Sequence, residues 1–277
     1  MNNTETSVHE EAIRQLRYGA AAWNAWKLQR RSLDLRLADL RGLSLSGYDL
    51  SHICFSGANL SGAILSRANL SGSDLCGAIM SDIIADGASF DASILVGAFL
   101  PDATLAGASF LAANLDGANL AGANLENANF RHSTIECGCL DNARATRACF
   151  ERSRMAGASL NRIVLKDAKL WAALLSRANF TAAELDGADL TSADLSGARL
   201  VMASLSGATL AKTSLAGADL SWADLSGIQS AGTACFTGAR ILHTQFDPPV
   251  ESLMRRSALL AAPRPGRVLY ARGSAAA

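Results

Sequence analysis

Ala118-Asn119-Leu120-Ala121-Gly122 and Ala188-Asp189-Leu190-Thr191-Ser192 decide the fold. Each stretch runs small apolar, short polar, large apolar, and then two residues suited to a turn. Outward from Leu120, every fifth residue from Leu35 to Leu225 is apolar: 39 consecutive positions, of which 28 are Leu and 6 are Phe. Two residues before each, Ala fills 27 of the 39 sites, and two residues after each, Gly is the most frequent occupant. No heptad and no 3.6-residue rhythm produces an unbroken period of five, and collagen needs Gly at every third position.

Two apolar sites with one polar residue between them make a short period-2 segment whose small and large residues face the same way. The remaining pair turns the chain through a corner, where Gly tolerates the backbone angles of a tight turn. Segment and corner together wind a coil, with Ala keeping it narrow and Leu or Phe filling its axis. Phe90, Phe110, Phe130 and Phe150 share the large site at intervals of 20 residues, so four segments per coil stack these rings in one column. Charges support the same register. Arg131/Glu151, Arg147/Asp167, Lys166/Asp186, Lys169/Asp189 and Arg199/Asp219 are opposite pairs at that separation, against the like pairs Asp82/Asp102 and Asp116/Glu136.

Ala68-Asn69-Leu70-Ser71-Gly72 and Ala193-Asp194-Leu195-Ser196-Gly197 resemble the A(D/N)LxG unit of the pentapeptide repeat proteins. The resemblance covers about residues 35–246. It implies an all-β solenoid, a right-handed quadrilateral β-helix, here of about ten to eleven coils and roughly 50 Å in length. Capping helices are expected at both ends.

A solenoid has open ends that need covering. Ser7-Val8-His9-Glu10 has the form of a capping box, and Ile13, Leu16, Ala20 and Trp23 follow at helical spacing, which predicts an N-terminal capping helix within residues 1–31. Ala22-Trp23-Asn24-Ala25-Trp26-Lys27 also resembles the WNxWR-like helix preceding the repeats in some family members, and Trp23 or Trp26 is expected to cover the first coil. Leu33, Leu43, Tyr48 and Ile53 at the small site suit a widened coil beneath it. The repeats fill residues 32–246, with a one-residue slip near Ile228 to Gly232, and Asp247-Pro248-Pro249 stops them. Residues 247–262 are expected to form a second capping helix or a dimer contact, and residues 263–277 a basic tail.

The 25 basic and 25 acidic residues balance, so direct nucleic-acid binding is not expected. The first residues are polar and acidic and no long apolar run exists, which points to a cytoplasmic protein without a membrane span. Cys54, Cys76, Cys137, Cys139, Cys149 and Cys235 do not form a disulfide framework, and the Cys137/Cys139 pair has no second metal-ligating pair near it in sequence. His9, His52, His132 and His243 are scattered. Neither a catalytic constellation nor a cofactor motif is found. The many outward Asp and Asn residues are read as groups that face solvent or cap local backbone.

Charge zoning is the informative feature. Residues 68–130 hold seven acids and no Lys or Arg, residues 131–177 hold nine basic residues and four acids, and residues 178–227 hold six acids and two bases. Such bands either reflect free drift of a repeat surface or steer a partner. The expected function is a non-catalytic rod presenting flat faces to a protein partner, with Arg144, Arg147, Arg152, Arg154 and Arg162 as candidate contacts. The family resemblance implies a second reading, a DNA mimic that binds gyrase or another topoisomerase and protects against quinolones or related toxins. Asp82, Asp86, Asp91 and Asp102 are its candidate residues. A secreted bacterial effector is a third reading that the family implies.

Overall fold

A computed structural model describes residues 10–30, 33–248 and 250. The chain winds as a right-handed β-helix whose rungs pair in parallel with the residue 20 positions on, as in Asp39 with Asn59 and Asn59 with Ile79. Paired strands of two residues flank the array, Leu33–Asp34 with Ile53–Cys54 at the start and Asp224–Leu225 with Gln245–Phe246 at the end.

The backbone hydrogen bonds show why the unit is five residues long. The large-site amide donates to the next coil (Leu40 N to Asn59 O, 2.8 Å) and the outward-site amide to the previous one (Asn59 N to Ala38 O, 2.9 Å). The second corner amide also donates forward (Gly42 N to Ser61 O, 3.0 Å), while the small-site amide closes the turn (Ala38 N to Leu35 O, 3.2 Å). At the second corner position φ is positive throughout, from Gly42 at 64° to Arg162 at 54° and Trp222 at 64°. Negative then positive φ is the signature of a type II turn, which explains the Gly preference. His52, Asp82, Arg147 and other non-glycine residues accept the same conformation.

One amide per unit is left over, that of the first corner residue. The outward Asn or Asp accepts it: Asn59 Oδ1 from Ser61 N at 3.0 Å, Asp194 Oδ1 from Ser196 N at 2.9 Å. The polar residue of the repeat is therefore a backbone cap that leaves no N–H unsatisfied.

The core is the axial column. Phe90, Phe110, Phe130 and Phe150 are fully buried and stack at 4.7–4.8 Å with interplanar angles of 5° or less. Where Ser or Thr replaces Ala at the small site, the hydroxyl is buried and donates to a carbonyl, as Ser133 does to Phe130 O at 2.8 Å. The slip in the rhythm is a short 3-10 turn, Ala231–Thr233. After it the pairing separation becomes 21, as in Ser214 with Cys235.

The N-terminal cap differs from a single continuous helix. Residues 10–15 are helical and a second helix spans Ala20–Lys27, with a break at Gly19, whose φ is 92°. The apolar face carries across the break, so Ala12, Leu16 and Trp23 are all buried. Side chains of the second helix replace the missing coil. Asn24 Oδ1 accepts Asp49 N (2.8 Å) and Trp23 Nε1 donates to Asp49 O (2.7 Å). Lys27 Nζ reaches Asp49 Oδ2 and Ser51 Oγ, both at 2.9 Å, and Tyr48 donates to Leu16 O at 2.9 Å. At the other end, Asp247 Oδ2 accepts Gly227 N at 2.9 Å. Ser7 to His9 of the capping box, and residues 251–277, where the rest of the second cap and the tail are expected, lie outside the described residues.

Candidate interaction surfaces

Four flat faces follow from the register. Face 1 carries Asn59, Ile79 and Phe99, face 2 Ile64 and Ile84, face 3 Asn69 and Ser89, and face 4 Asp74 and Ile94. Each edge is named by the two faces it joins.

The five candidate arginines do not form one patch. Arg144 lies on face 2 and Arg147 on edge 2–3, Arg152 on edge 3–4 and Arg154 on face 4, and Arg162 on edge 1–2. Arg144 pairs with Glu126 at 2.6 Å and Arg154 with Glu136 at 2.7 Å. Arg147 donates to Asn127 Oδ1 at 3.1 Å, and Arg152 lies over the Trp171 ring at 4.6 Å. Among the described residues Arg162 has no side-chain partner.

Several expected charge pairs differ from the structure. Arg131/Glu151 forms at 2.9 Å, while Lys166 stands 3.9 Å from Asp186 and nearer to Glu184, at 2.8 Å. The proximity of Glu184 raises the Lys166 pKa. Among the described residues Arg147/Asp167, Lys169/Asp189 and Arg199/Asp219 do not pair. Asp219 meets Arg240 at 3.8 Å instead, and Arg199 donates to Thr181. A long side chain on a face leans diagonally to the corner residue of the adjoining coil, 18 positions away, as Arg144 does to Glu126. A strict 20-residue rule misses that diagonal.

The four acids divide into two kinds. Asp86 Oδ1 accepts Ala106 N and Asp91 Oδ1 accepts Leu111 N, both at 3.0 Å. Asp116 does the same for Glu136 N and Asp141 for Asn161 N. In all four cases the outward residue of the receiving repeat is Thr104, Ser109, Thr134 or Ser159, where no Asn or Asp is present to cap the amide. An acid one coil earlier takes over. Asp86 and Asp91 are thus parts of the ladder through one carboxylate oxygen each. Asp82 and Asp102 stack on edge 1–2, and no side-chain partner of either is found among the described residues.

Sequence reading passed over an apolar cluster. Ile64, Ile79, Ile84, Ile94, Val96 and Phe99 are 37–45% exposed and lie in neighbouring coils, chiefly on faces 1 and 2 about the Asp82/Asp102 edge. The signal was present, since five of the six occupy outward sites that Asn or Asp normally fills.

Burial raises the Cys54, Cys76 and Cys149 pKa values, whereas a hydrogen bond with Thr237 lowers that of the exposed Cys235. Among the described residues no group of three His, Cys, Asp or Glu side chains is placed to hold a metal. An open cleft of about 510 Å³ between the N-terminal segment and the first coils is lined by Arg17, Leu43, Ser44 and Tyr48, among others. No described helix is long and apolar enough to cross a membrane.

A family model of pentapeptide repeats matches residues 44–82, 86–120, 108–144, 158–197 and 188–227, more than half of the chain. The chain belongs to the pentapeptide repeat family. The solved structure of HetL, a pentapeptide repeat protein involved in heterocyst differentiation regulation in the cyanobacterium Nostoc sp., is 27% identical. That match covers 79% of this chain and 91% of HetL, with a TM-score of 0.53. A trypsin-treated variant of QnrB1, a plasmid-mediated fluoroquinolone resistance protein, is 20% identical over 72% of this chain and 94% of its own, with a TM-score of 0.30. No curated protein sequence matches.

Proposed function

We propose that this pentapeptide repeat protein is a non-catalytic cytoplasmic interaction rod, and that its contact surface is the apolar, acid-bordered cluster astride edge 1–2. The observation that carries this reading is the exposure of Ile64, Ile79, Ile84 and Phe99 around Asp82 and Asp102, neither of which has a side-chain partner among the described residues. Exposed apolar patches rimmed by polar groups mark protein contacts. A complementary partner presents apolar side chains together with basic ones.

The test replaces Ile84 and Phe99 by Asn, the residue the repeat itself favours at those sites, so the solenoid is preserved. A native partner captured by the wild-type chain and lost by I84N/F99N supports the surface. Equal capture by both baits discards it.

Topoisomerase protection is the second reading, and the stacked Asp82 and Asp102 favour it. Of the four candidate acids, these two project without a backbone partner among the described residues. Inhibition of gyrase supercoiling, or rescue from a quinolone, at low micromolar protein and its loss in D82N/D102N would sustain that reading. No effect at tenfold higher protein removes it.

A further inference from the structure

Edge 1–2 is self-complementary. Its left-handed corner position holds Gly42, Gly62, Asp82 and Asp102 on one side of the level of Gly122 and Asn142, and Arg162, Ala182, Met202 and Trp222 on the other. The 20-residue register runs unbroken across this span, because the inserted residue falls beyond it, at Ala231–Thr233. Each position therefore has a fixed height on the rod.

Resting on the assignment of this edge as a contact surface, we propose that its occupant is a second copy of the chain, packed antiparallel about a two-fold axis midway between Gly122 and Asn142. Asp102 and Arg162 are equally distant from that axis, as are Gly62 and Met202, and Gly42 and Trp222. The operation sets Asp102 opposite Arg162, Asp82 opposite the small Ala182 and each of Met202 and Trp222 opposite a glycine, twice per dimer as an isologous contact requires.

Four observations support the pairing. Neither Asp102 nor Arg162 has a side-chain partner among the described residues. Met202 is 61% exposed and Trp222 56%. Gly42 and Gly62 have open space where a Cβ would stand, and Ile64 beside Gly62 offers Met202 an apolar neighbour. Trp222 is held by His243, with ring centroids 4.1 Å apart. A parallel arrangement in the same register would set Asp102 against Asp102, so charge selects the antiparallel one.

The edge from Gly42 to Trp222 is about 43 Å long at ~4.8 Å per rung. A strip about 12 Å wide then buries about 1,000 Å² in all, the lower end for specific contacts, so a weak dimer is expected.

Sedimentation velocity of the full chain, from micromolar to submillimolar concentration, tests the proposal. The wild type is expected to show a concentration-dependent monomer–dimer equilibrium. D102R and R162D should each weaken it at least ~10-fold, since each reversal makes two like-charge contacts per dimer. A mixture of the two variants should regain a heterodimer, because both contacts are then opposite in sign. Arg stacked on Gly at the equivalent corner position already occurs on edge 2–3, at Arg67 and Gly87, so D102R is compatible with the fold. Gly62→Asn, suited to left-handed backbone, is a second variant that should weaken dimerisation by filling the space facing Met202. A wild type that stays monomeric, dimers unaffected by either reversal, or a mixture without recovery overturns the proposal. Capture of another protein through Ile84 and Phe99 stands or falls separately.

Discussion

Replacing Asp91 by Ala tests whether the corner acids are structural caps. Asp91 Oδ1 accepts Leu111 N at 3.0 Å and also Ser109 Oγ. Without it the Leu111 amide is left at best with Ser109 Oγ, a longer and weaker cap of the kind that Ser89 Oγ gives Asp91 N at 3.4 Å, against the 3.0 Å of Asn59 to Ser61 N. A hydrogen bond to a charged acceptor contributes about 1.5–3 kcal/mol. Leu111 is exposed, so water recovers part of this, and a loss of about 1 kcal/mol is expected. Hydrogen exchange at the Leu111 amide should then quicken about fivefold, with a matching fall in the urea midpoint. Adding Ser109→Asn supplies the local cap found elsewhere in the array and should restore most of the protection. Unchanged exchange in D91A, or no recovery in D91A/S109N, would refute the reasoning. Asp82→Ala removes no backbone acceptor, and should leave exchange in the neighbouring rungs as it is.

Phe110→Ala opens a cavity between two stacked rings and should cost about 3–5 kcal/mol, whereas Phe110→Leu should cost under about 1.5, both read from denaturant unfolding. Gly138→Ala places a Cβ 2.7 Å from Ile135 Cγ2 and 3.3 Å from Ala118 O, so it should destabilise by about 1–3 kcal/mol. Ile135→Leu moves the branching methyl away, and thermal melts of the double variant should show part of the loss recovered. At Asp49, burial raises the pKa, but hydrogen bonds from Ser51 and Lys27 and the Lys27 charge outweigh it and leave the value below 3.8. A lowered carboxyl contributes stability that is present above its unfolded pKa and lost as pH falls through the folded one. Trp23 fluorescence should therefore report loosening of the cap only below about pH 3.8, and Asp49→Asn should remove that dependence.

Much of the fold was legible because its signals are local and repeated. The five-residue period, the alternation of small and large sites and the spacing of the four phenylalanines each specify a contact that recurs 20 residues on. Trp23 as a cap was legible too, from helical spacing and family resemblance, although Gly19 breaks the helix that the spacing suggested. The candidate surface was legible only in part. Asp82, Asp102, Arg162, Asp86 and Asp91 were singled out by charge, but that one oxygen of Asp86 and of Asp91 caps a backbone amide one coil away was not legible.

From sequence alone came the period, hence the coil, its axial column, its corners and the order of the charge bands, all set by which residue follows which. Tertiary structure decided where each side chain spends its hydrogen bonds and on which edge it projects. A carboxylate 20 positions from an amide is its acceptor only if the residue between them in space lacks a cap of its own. Likewise Gly62, Asp102, Arg162 and Met202 become one surface only when coils stack at a fixed height and handedness. That depends on the pitch and turn of the backbone, which no single five-residue unit specifies.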